Sequence, residues 1–474
     1  MDSRTFRSAF LSAIPAQNIG VPEAKYLYIP KTHLRALHPD HALVRGIRGA
    51  GKSVWWSVLQ FEDLSWLLKQ IFPSAMMPTS IEVKPGFGEQ LNPQAYPGRD
   101  TLELLLTSHQ PRLIWRTVVL WGVRAIPEHL ETWTDRVGWV AQNPELAERN
   151  LSTAHQQMAQ KQTLGLFVFD ALDRTATTWD SRARLLDGLL ENLLEFRSFR
   201  FIRLKAFVRP DMLVGPEIGR FPDASKVLTG AIDLSWPRAQ LFGLLWQYLL
   251  NAPTAEGQPG FRELCKQVFH QRLGLHEGVW HGSDEMNTDE ETQRSIFEVF
   301  VGEFMGSNRL RGYPYTWLPN HLADAYGQVS PRSFLAALRE AAEDTDRCYP
   351  QHPQALHYEA LKRGVQKASQ IRVEEFEEDF PWIREVMKPL KELTVPCSLT
   401  QIDERWVKAK LKQKLGEQRQ GVLPGRSNDF SAGLIEQLTS VGIFSRMPDQ
   451  RINLPDVYRV GFGLKRLGGV KPLR

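Results

Sequence analysis

Short apolar runs alternate with amphipathic segments over the first half of the chain. A continuous apolar run predicts a strand over residues 164–169, and shorter apolar segments predict strands over residues 41–45, 201–208 and 230–234. The segments between them carry apolar residues at helical spacing and predict helices, over residues 101–107, 112–123, 144–160 and 181–196. The stretch 73–100 is rich in Pro and Gly and is predicted to be a loop. Strands that alternate with helices indicate a three-layer α/β domain built on a parallel sheet.

From residue 237 onward the pattern becomes mostly helical, which indicates a helical lid or accessory domain. Within it, the acidic run 374–379 is expected to be a solvated face. The last section predicts helices over 399–415 and 430–440, followed by two short strands about the turn Pro448-Asp449-Gln450. Helices followed by a hairpin are typical of a winged-helix-like domain. A length of 474 residues fits several domains. We predict three parts, at 1–236 (the α/β core), 237–395 (the lid) and 396–474 (the winged-helix-like domain).

The charge of the chain is uneven. The net charge is only +4, which argues against a general polyanion binder, but residues 401–474 hold 14 Lys and Arg against 7 Asp and Glu. The basic residues of this section that could contact phosphates are Arg446, Arg451, Arg459, Lys465, Arg466 and Lys471. The helix predicted at 430–440 is poor in cations that read bases, and winged helices also serve as protein-docking modules. Both DNA and a protein therefore remain candidate partners of residues 396–474.

The stretch between the first predicted strand and the helix that follows it matches the phosphate-binding pattern G-x-x-x-x-G-K-[ST]. Its candidate nucleotide-binding residues are Gly46, Arg48, Gly49, Ala50, Gly51, Lys52, Ser53 and Val54. The glycines let backbone N–H groups approach a phosphate, the lysine bridges the β- and γ-phosphates, and the hydroxyl of Ser53 binds Mg²⁺. A chance match in a chain of this length is expected roughly 0.02 times. The sequence therefore predicts binding of ATP or GTP, and since no guanine-specific motif is evident we take ATP with Mg²⁺.

A single carboxylate follows the apolar strand predicted at 164–169. Asp170 stands more than a hundred residues after the phosphate loop, where a P-loop enzyme places the residue that holds Mg²⁺ together with Ser53. An Asp after a strand is by itself usually a turn residue or a helix cap. Its place after a phosphate loop favours the metal role.

The run Phe167-Val168-Phe169-Asp170-Ala171-Leu172-Asp173-Arg174 resembles the second motif of the additional-strand P-loop ATPases, in particular the AAA+, STAND and KAP groups. In that family the residue after the metal-binding Asp is commonly acidic and polarises the attacking water, but position 171 is Ala. Asp173 is the nearest replacement as a base, although it could equally pair with Arg174 or cap the next helix. The resemblance also implies a γ-phosphate sensor at Arg209 and a second sensor in the lid at Arg332.

These features predict an ATP-dependent molecular switch or remodelling ATPase with slow turnover. Relatives by this resemblance often serve in bacterial anti-phage defence. The alternative is a non-enzymatic winged-helix regulator that binds nucleic acid and holds nucleotide only as a structural ligand. The N-terminus lacks the apolar core of a secretory signal, and the most apolar segments are shorter than the ~20 residues that span a bilayer. We therefore expect a cytoplasmic protein with no membrane anchor, and the sequence leaves open whether it forms a homo-oligomer.

Overall fold

The parallel sheet predicted for the first half of the chain is present in the computed structural model. The structure describes residues 3–16, 20, 22–60, 80–215, 217–253, 260–417, 429–467 and 470–471. They fall into two compact units: Lys31–Leu234 forms one, and Met1–Pro30 together with Ser235–Arg474 forms the other. The division into three parts given above stays a prediction.

Five strands form the sheet of the first unit: β1 (Leu43–Arg45), β2 (Ser80–Phe87), β3 (Thr163–Phe169), β4 (Ile202–Val208) and β5 (Ile232–Asp233). Their order is β2-β3-β4-β1-β5, and every neighbouring pair is parallel. Strand β4 therefore lies between β1 and β3, which is the additional strand of the class that the sequence resembles. Since the strands are parallel, the carboxyl ends of β1, β3 and β4 meet at one edge of the sheet.

Strand β2 lies in a stretch that the sequence predicts to be loop, and that prediction is wrong for residues 80–87. The strand could not be recognised in the sequence pattern because it contains Pro85 and Gly86, and both residue types are ordinarily depleted from strands. Within the described sheet β2 pairs only with β3, and an edge strand tolerates a proline. The backbone of Gly86 passes so close to the ring of Phe169 that a Cβ atom would lie 2.3 Å from it. Residues 73–79 of the predicted loop lie outside the described residues.

Helices connect the strands of the first unit and pack on the sheet. Those described are α2 (Lys31–Leu37), α3 (Lys52–Val58), α4 (Arg99–Leu105), α5 (Pro111–Gly122), α6 (Trp133–Gln142), α7 (Pro144–Gln160), α8 (Trp179–Glu195) and α9 (Ala224–Leu228). The buried Trp115 on α5 meets the rings of Phe87 and Phe169 edge-on, at 5.8 and 5.7 Å between centroids. Its indole N–H donates to the carbonyl of Leu185 at 2.8 Å, which ties α5 to α8. The α/β fold of a P-loop NTPase is thus confirmed.

The second unit is mostly helical, as predicted. Its described helices are α1 (Ser3–Ala13), α10 (Arg238–Leu250), α11 (Phe261–Gln267), α12 (Asp284–Thr288), α13 (Glu290–Val301), α14 (Pro314–Leu322), α15 (Pro331–Cys348), α16 (Tyr358–Asp379), α17 (Trp382–Met387), α18 (Leu399–Lys408), α19 (Leu411–Glu417), α20 (Phe430–Ser440) and α21 (Asp456–Arg459). The sequence assigns residues 1–30 to the core, but α1 packs in this unit, because its apolar side chains Phe6 and Phe10 meet Phe300 at 5.2 and 5.5 Å. No helix among the described residues is long and apolar enough to cross a bilayer.

Two small antiparallel hairpins complete the second unit. Strands β6 (Gly274–His276) and β7 (Val279–His281) form one, and β8 (Ser445–Arg446) and β9 (Ile452–Asn453) form the other. The second hairpin follows α18, α19 and α20, in the order predicted for a winged-helix-like domain.

The end of the chain is bound firmly to α16. The hydroxyl of Ser369 donates to the carbonyl of Val457 at 2.7 Å and accepts from the backbone N–H of Gly461 at 2.8 Å. Arg459 is fully buried, and its guanidinium contacts the carboxylate of Asp456 at 2.7 Å. Arg459 is therefore excluded as a phosphate contact, because its charge is neutralised inside the fold.

Two glycines within helices predict opposite effects of a methyl group. Helix α16 crosses α15 at Gly364, where a Cβ atom would lie 2.1 Å from the carbonyl oxygen of Ala337; at Gly138, on α6, nothing lies within 4 Å of the same position. Alanine favours a helix over glycine by about 0.5–1 kcal/mol, whereas overpacking costs about 1–3 kcal/mol. We expect thermal unfolding to show destabilisation in Gly364→Ala and stabilisation in Gly138→Ala. Equal effects of the two substitutions would contradict the backbone contact at Gly364.

Candidate functional site

The phosphate loop leaves β1 and ends at the first residue of α3. The backbone N–H of Gly46 donates to the carbonyl of Val208 at 3.0 Å, which extends the pairing of β1 with β4. Gly49 and Gly51 have φ angles of 79° and 99°, a left-handed conformation that glycine adopts without a steric penalty. A Cβ atom on Gly46 would lie 3.2 Å from Cγ of Lys52. The three glycines are therefore required by the path of the backbone and of the lysine side chain.

The ammonium group of Lys52 lies over its own loop. Nζ donates to the carbonyls of Gly46 and Ile47, at 2.9 and 3.1 Å. Burial lowers the pKa of Lys52 to about 8; the negative charge of Asp170 opposes that effect, and the positive charge of Arg209 adds to it. The amine thus lies where a phosphate would meet the loop, in an environment that would favour a nearby anion.

Asp170 follows β3 directly and is only 3% exposed. Its backbone N–H donates to the carbonyl of Phe87 at 3.0 Å, and its carboxylate accepts a hydrogen bond from the hydroxyl of Ser53. Burial raises the pKa of this carboxyl group, while the ammonium of Lys52 and the hydroxyl of Ser53 oppose the rise. The structure therefore brings together Lys52, Ser53 and Asp170, which are far apart in the sequence.

A hydroxyl and a carboxylate oxygen that meet in this way are the hard donors that Mg²⁺ prefers. Ser53 and Asp170 thus fit a magnesium ion.

Arg209 lies at the end of β4 and is held by carboxylates on two sides. Its Nε and Nη2 contact the two carboxylate oxygens of Asp211, at 3.1 and 2.7 Å, and its Nη1 lies 3.6 Å from Asp173. Although burial acts in the other direction, the charge of Arg209 lowers the pKa of Asp211. The charge of Arg209 also acts on Lys52, so the predicted sensor lies within electrostatic range of the loop.

Asp173 is part of the same cluster. Of the two structural roles considered for it, the pair with Arg174 is not present, because Arg174 contacts Glu89 at 2.8 Å. Asp173 instead contacts Arg209, and its charge acts on both Lys52 and Asp170. Ala171, which precedes this segment, has a φ of 53° and so adopts the left-handed conformation that is uncommon for alanine. Asp173 as a base stays a prediction.

Arg332 belongs to the second unit, where it stands in the first turn of α15. The hydroxyl of Ser330 caps that helix and Pro331 begins it, as predicted. The guanidinium of Arg332 contacts the carboxylate of Glu375 at 2.6 Å, and Glu375 also contacts Arg372 at 3.4 Å. Glu375 is only 9% exposed, so the expectation of a solvated acidic run is wrong at this residue. The ion pairs of Glu375 with Arg332 and Arg372 are the reason that this carboxylate is buried.

The remaining loop residues, Arg48, Ala50 and Val54, lie on the loop and in the first turn of α3. Two residues near the site were not predicted from the sequence. One is Asp211, for which the turn Arg209-Pro210-Asp211 is the only local signal. The other is Trp56, whose indole N–H donates to the carbonyl of Val168 at 3.1 Å and whose ring lies against Gly88. Trp56 thereby fixes α3 against the end of the sheet.

No protein-family model and no curated protein sequence matches the chain. Solved structures similar to it include two of the Aeropyrum pernix ORC2 protein. The one described as ADPNP-ADP complexes is 12% identical, covers 96% of this chain and 94% of that chain, and has a TM-score of 0.41. The ADP form is 13% identical, covers 95% and 94%, and has a TM-score of 0.34. Similarity at this level carries no conclusion about the function of this chain.

The lowered pKa of Lys52 predicts a pH dependence of ATP affinity. The charged amine is the form that binds phosphate, and with a pKa of about 8 it is lost as the pH rises through that value. The dissociation constant for ATP should therefore increase about tenfold between pH 7 and pH 9. Calorimetric titrations at several pH values measure it. Lys52→Ala should bind weakly with no such step; the same step in that variant would assign the titration to another group.

Proposed function

We propose that this protein is an ATP-binding P-loop ATPase of the AAA+ class that hydrolyses ATP slowly and acts as a cytoplasmic molecular switch or remodeller. The observation that carries the proposal is the cluster of Lys52, Ser53 and Asp170 at the carboxyl edge of the sheet, beside a loop whose glycines have the conformations that a phosphate cradle requires. Mg²⁺ would be held by Ser53 and Asp170, where it supplies positive charge to the phosphate oxygens.

In the proposed reaction a water oxygen attacks the γ-phosphorus while the bond to the β–γ bridging oxygen breaks, which yields ADP and phosphate. Lys52 binds the β- and γ-phosphates and offsets their charge. Asp173 accepts the proton of the attacking water, because position 171 carries no carboxylate. Asp173 also contacts the guanidinium of Arg209, whose positive charge offsets part of the negative charge of the carboxylate. Asp173 is therefore a weaker base toward the water. The ATP-bound state would therefore be long-lived, which suits a switch.

Hydrolysis by single-site variants tests this assignment. Lys52→Ala should weaken ATP binding about 10- to 100-fold, since it removes a charge-assisted contact. Asp173→Ala should keep ATP binding but slow single-turnover hydrolysis by about 10²-fold or more. Ala171→Glu, which restores the acidic residue common in the family, should raise the rate.

Rapid hydrolysis that is unaffected by Asp173→Ala would remove the proposed base. Tight ATP binding with no hydrolysis in any variant would favour the non-enzymatic regulator instead.

Arg209 is proposed to sense the γ-phosphate, in competition with the carboxylate that now holds it. Asp211→Asn removes one negative charge from the fork of Arg209. The variant should therefore bind ATP more tightly relative to ADP than the wild type does, whereas Arg209→Ala should reduce the preference for ATP over ADP. The ratio of the two dissociation constants measures the effect. A ratio unchanged in both variants would assign Arg209 a purely structural role.

Arg332 is proposed as the second sensor, and residues 396–474 as the part that engages DNA or a protein partner. Support for Arg332 comes from its place at a capped helix start and from its ion pair with Glu375. The resemblance to the STAND and KAP groups supports a role in anti-phage defence. These assignments complete the proposed switch, with ATP as the signal and the C-terminal region as the effector.

A further inference from the structure

Unpaired lysines are concentrated where α18 and α19 meet. Residues 405–415 contain five cations and no carboxylate. Four of these cations, Lys408, Lys410, Lys412 and Lys414, are exposed, and none of them forms an ion pair with a described residue. We call these four residues the lysine patch.

The lysine patch stands on a fixed frame. Trp406, Leu411 and Leu415 alternate with the lysines and are buried, and the indole N–H of Trp406 donates to the carbonyl of Val386 at 2.8 Å. The turn between the helices is closed by the backbone N–H of Lys410, which donates to the carbonyl of Val407 at 3.0 Å. The backbone that carries the four lysines is therefore held by buried apolar side chains and by a hydrogen-bonded turn.

Lys410 itself stands at a position where glycine is ordinarily preferred. Its φ is 53°, just after the end of α18, and a left-handed conformation there usually selects Gly or Asn. A lysine at this place costs conformational energy and adds a fourth cation to the turn. The sequence thus keeps charge where backbone geometry favours a neutral residue.

Four other basic residues of this region contact polar or acidic side chains within the described part of the chain. Arg446 contacts Gln450 at 3.4 Å, Arg451 contacts Asp449 at 2.7 Å, Arg466 contacts Asp456 at 3.0 Å, and Lys465 pairs with Glu392. Among the described basic residues of the C-terminal section, those without such a contact are therefore concentrated in the lysine patch.

We propose that the lysine patch binds the phosphodiester backbone of a nucleic acid. Four exposed lysines within seven residues, with no carboxylate among them, complement a linear array of phosphates, and lysine binds phosphate as a point charge without reading bases. A membrane surface fits less well, because Val407 is the only large apolar residue of 405–415 that is exposed, and an interfacial helix needs an apolar face. Binding of this kind requires no nucleotide and does not depend on the proposed ATPase activity.

Salt-dependent binding by the full chain tests the proposal. Fluorescence anisotropy would measure the affinity for a duplex DNA, a single-stranded DNA and a single-stranded RNA between 50 and 200 mM salt, without nucleotide. Four phosphate contacts on a duplex predict a fall in affinity of about 100-fold over this range. The variant with Lys408, Lys410, Lys412 and Lys414 all changed to Gln should lose most of the affinity at 50 mM and show a nearly flat salt dependence.

A control with the same loss of charge distinguishes the lysine patch from net charge. Arg446, Arg451, Lys465 and Lys471 changed together to Gln remove four exposed positive charges from the same region and should leave binding within about threefold of the wild type. Lys52→Ala, which tests the nucleotide site alone, should bind like the wild type. Equal losses in the two quadruple variants, the absence of salt-dependent binding by the wild type to all three nucleic acids, or binding only to anionic vesicles would each overturn the proposal.

Discussion

The electrostatic attraction between the ammonium of Lys52 and the buried carboxylate of Asp170 is the interaction on which the rest of the site depends. Burial lowers the pKa of Lys52 and raises that of Asp170, so each group is driven toward its neutral form, and each opposes this change in the other. Removal of one charge would therefore move the pKa of the other further toward the value at which it is neutral.

The order of the strands brings these charged groups to the same edge of the sheet. The loop follows β1 and Asp170 follows β3, and β4 lies between them, so that Arg209 at the end of β4 acts on Lys52. Arg209 in turn contacts the carboxylates of Asp211 and Asp173. The two cations and three carboxylates come from three strand ends, and each has its neighbours because all three strands are parallel. A phosphate chain and its metal ion would enter a region in which charges of both signs are already held in place.

The sequence predicts those features of the site in which the function of each residue requires a particular residue type at a particular spacing. The phosphate loop and Asp170 could be found because glycines, a lysine and a carboxylate after an apolar strand have recognisable spacing and context. Strand β2 could not, since Pro85 and Gly86 are acceptable only at a sheet edge, which is a tertiary property. Other features depend likewise on contacts that only the folded chain forms. They are the ion pair of Arg209 with Asp211 and the burial of Glu375 and Arg459. Counting charges along the chain therefore overstates the number of basic residues free to bind a partner.

The shared carboxylate of Glu375 connects the predicted lid sensor to the C-terminal end of the chain. Glu375 accepts from both Arg332 and Arg372, and the guanidinium of Arg372 lies 5.9 Å from the ring centroid of Tyr458 on α21. An anion that drew Arg332 away would leave Glu375 to Arg372 alone and would have to offset the loss of a partly buried ion pair. The ion pair would thus oppose engagement of the proposed sensor, and its release would alter the electrostatics at the contact between α16 and α21.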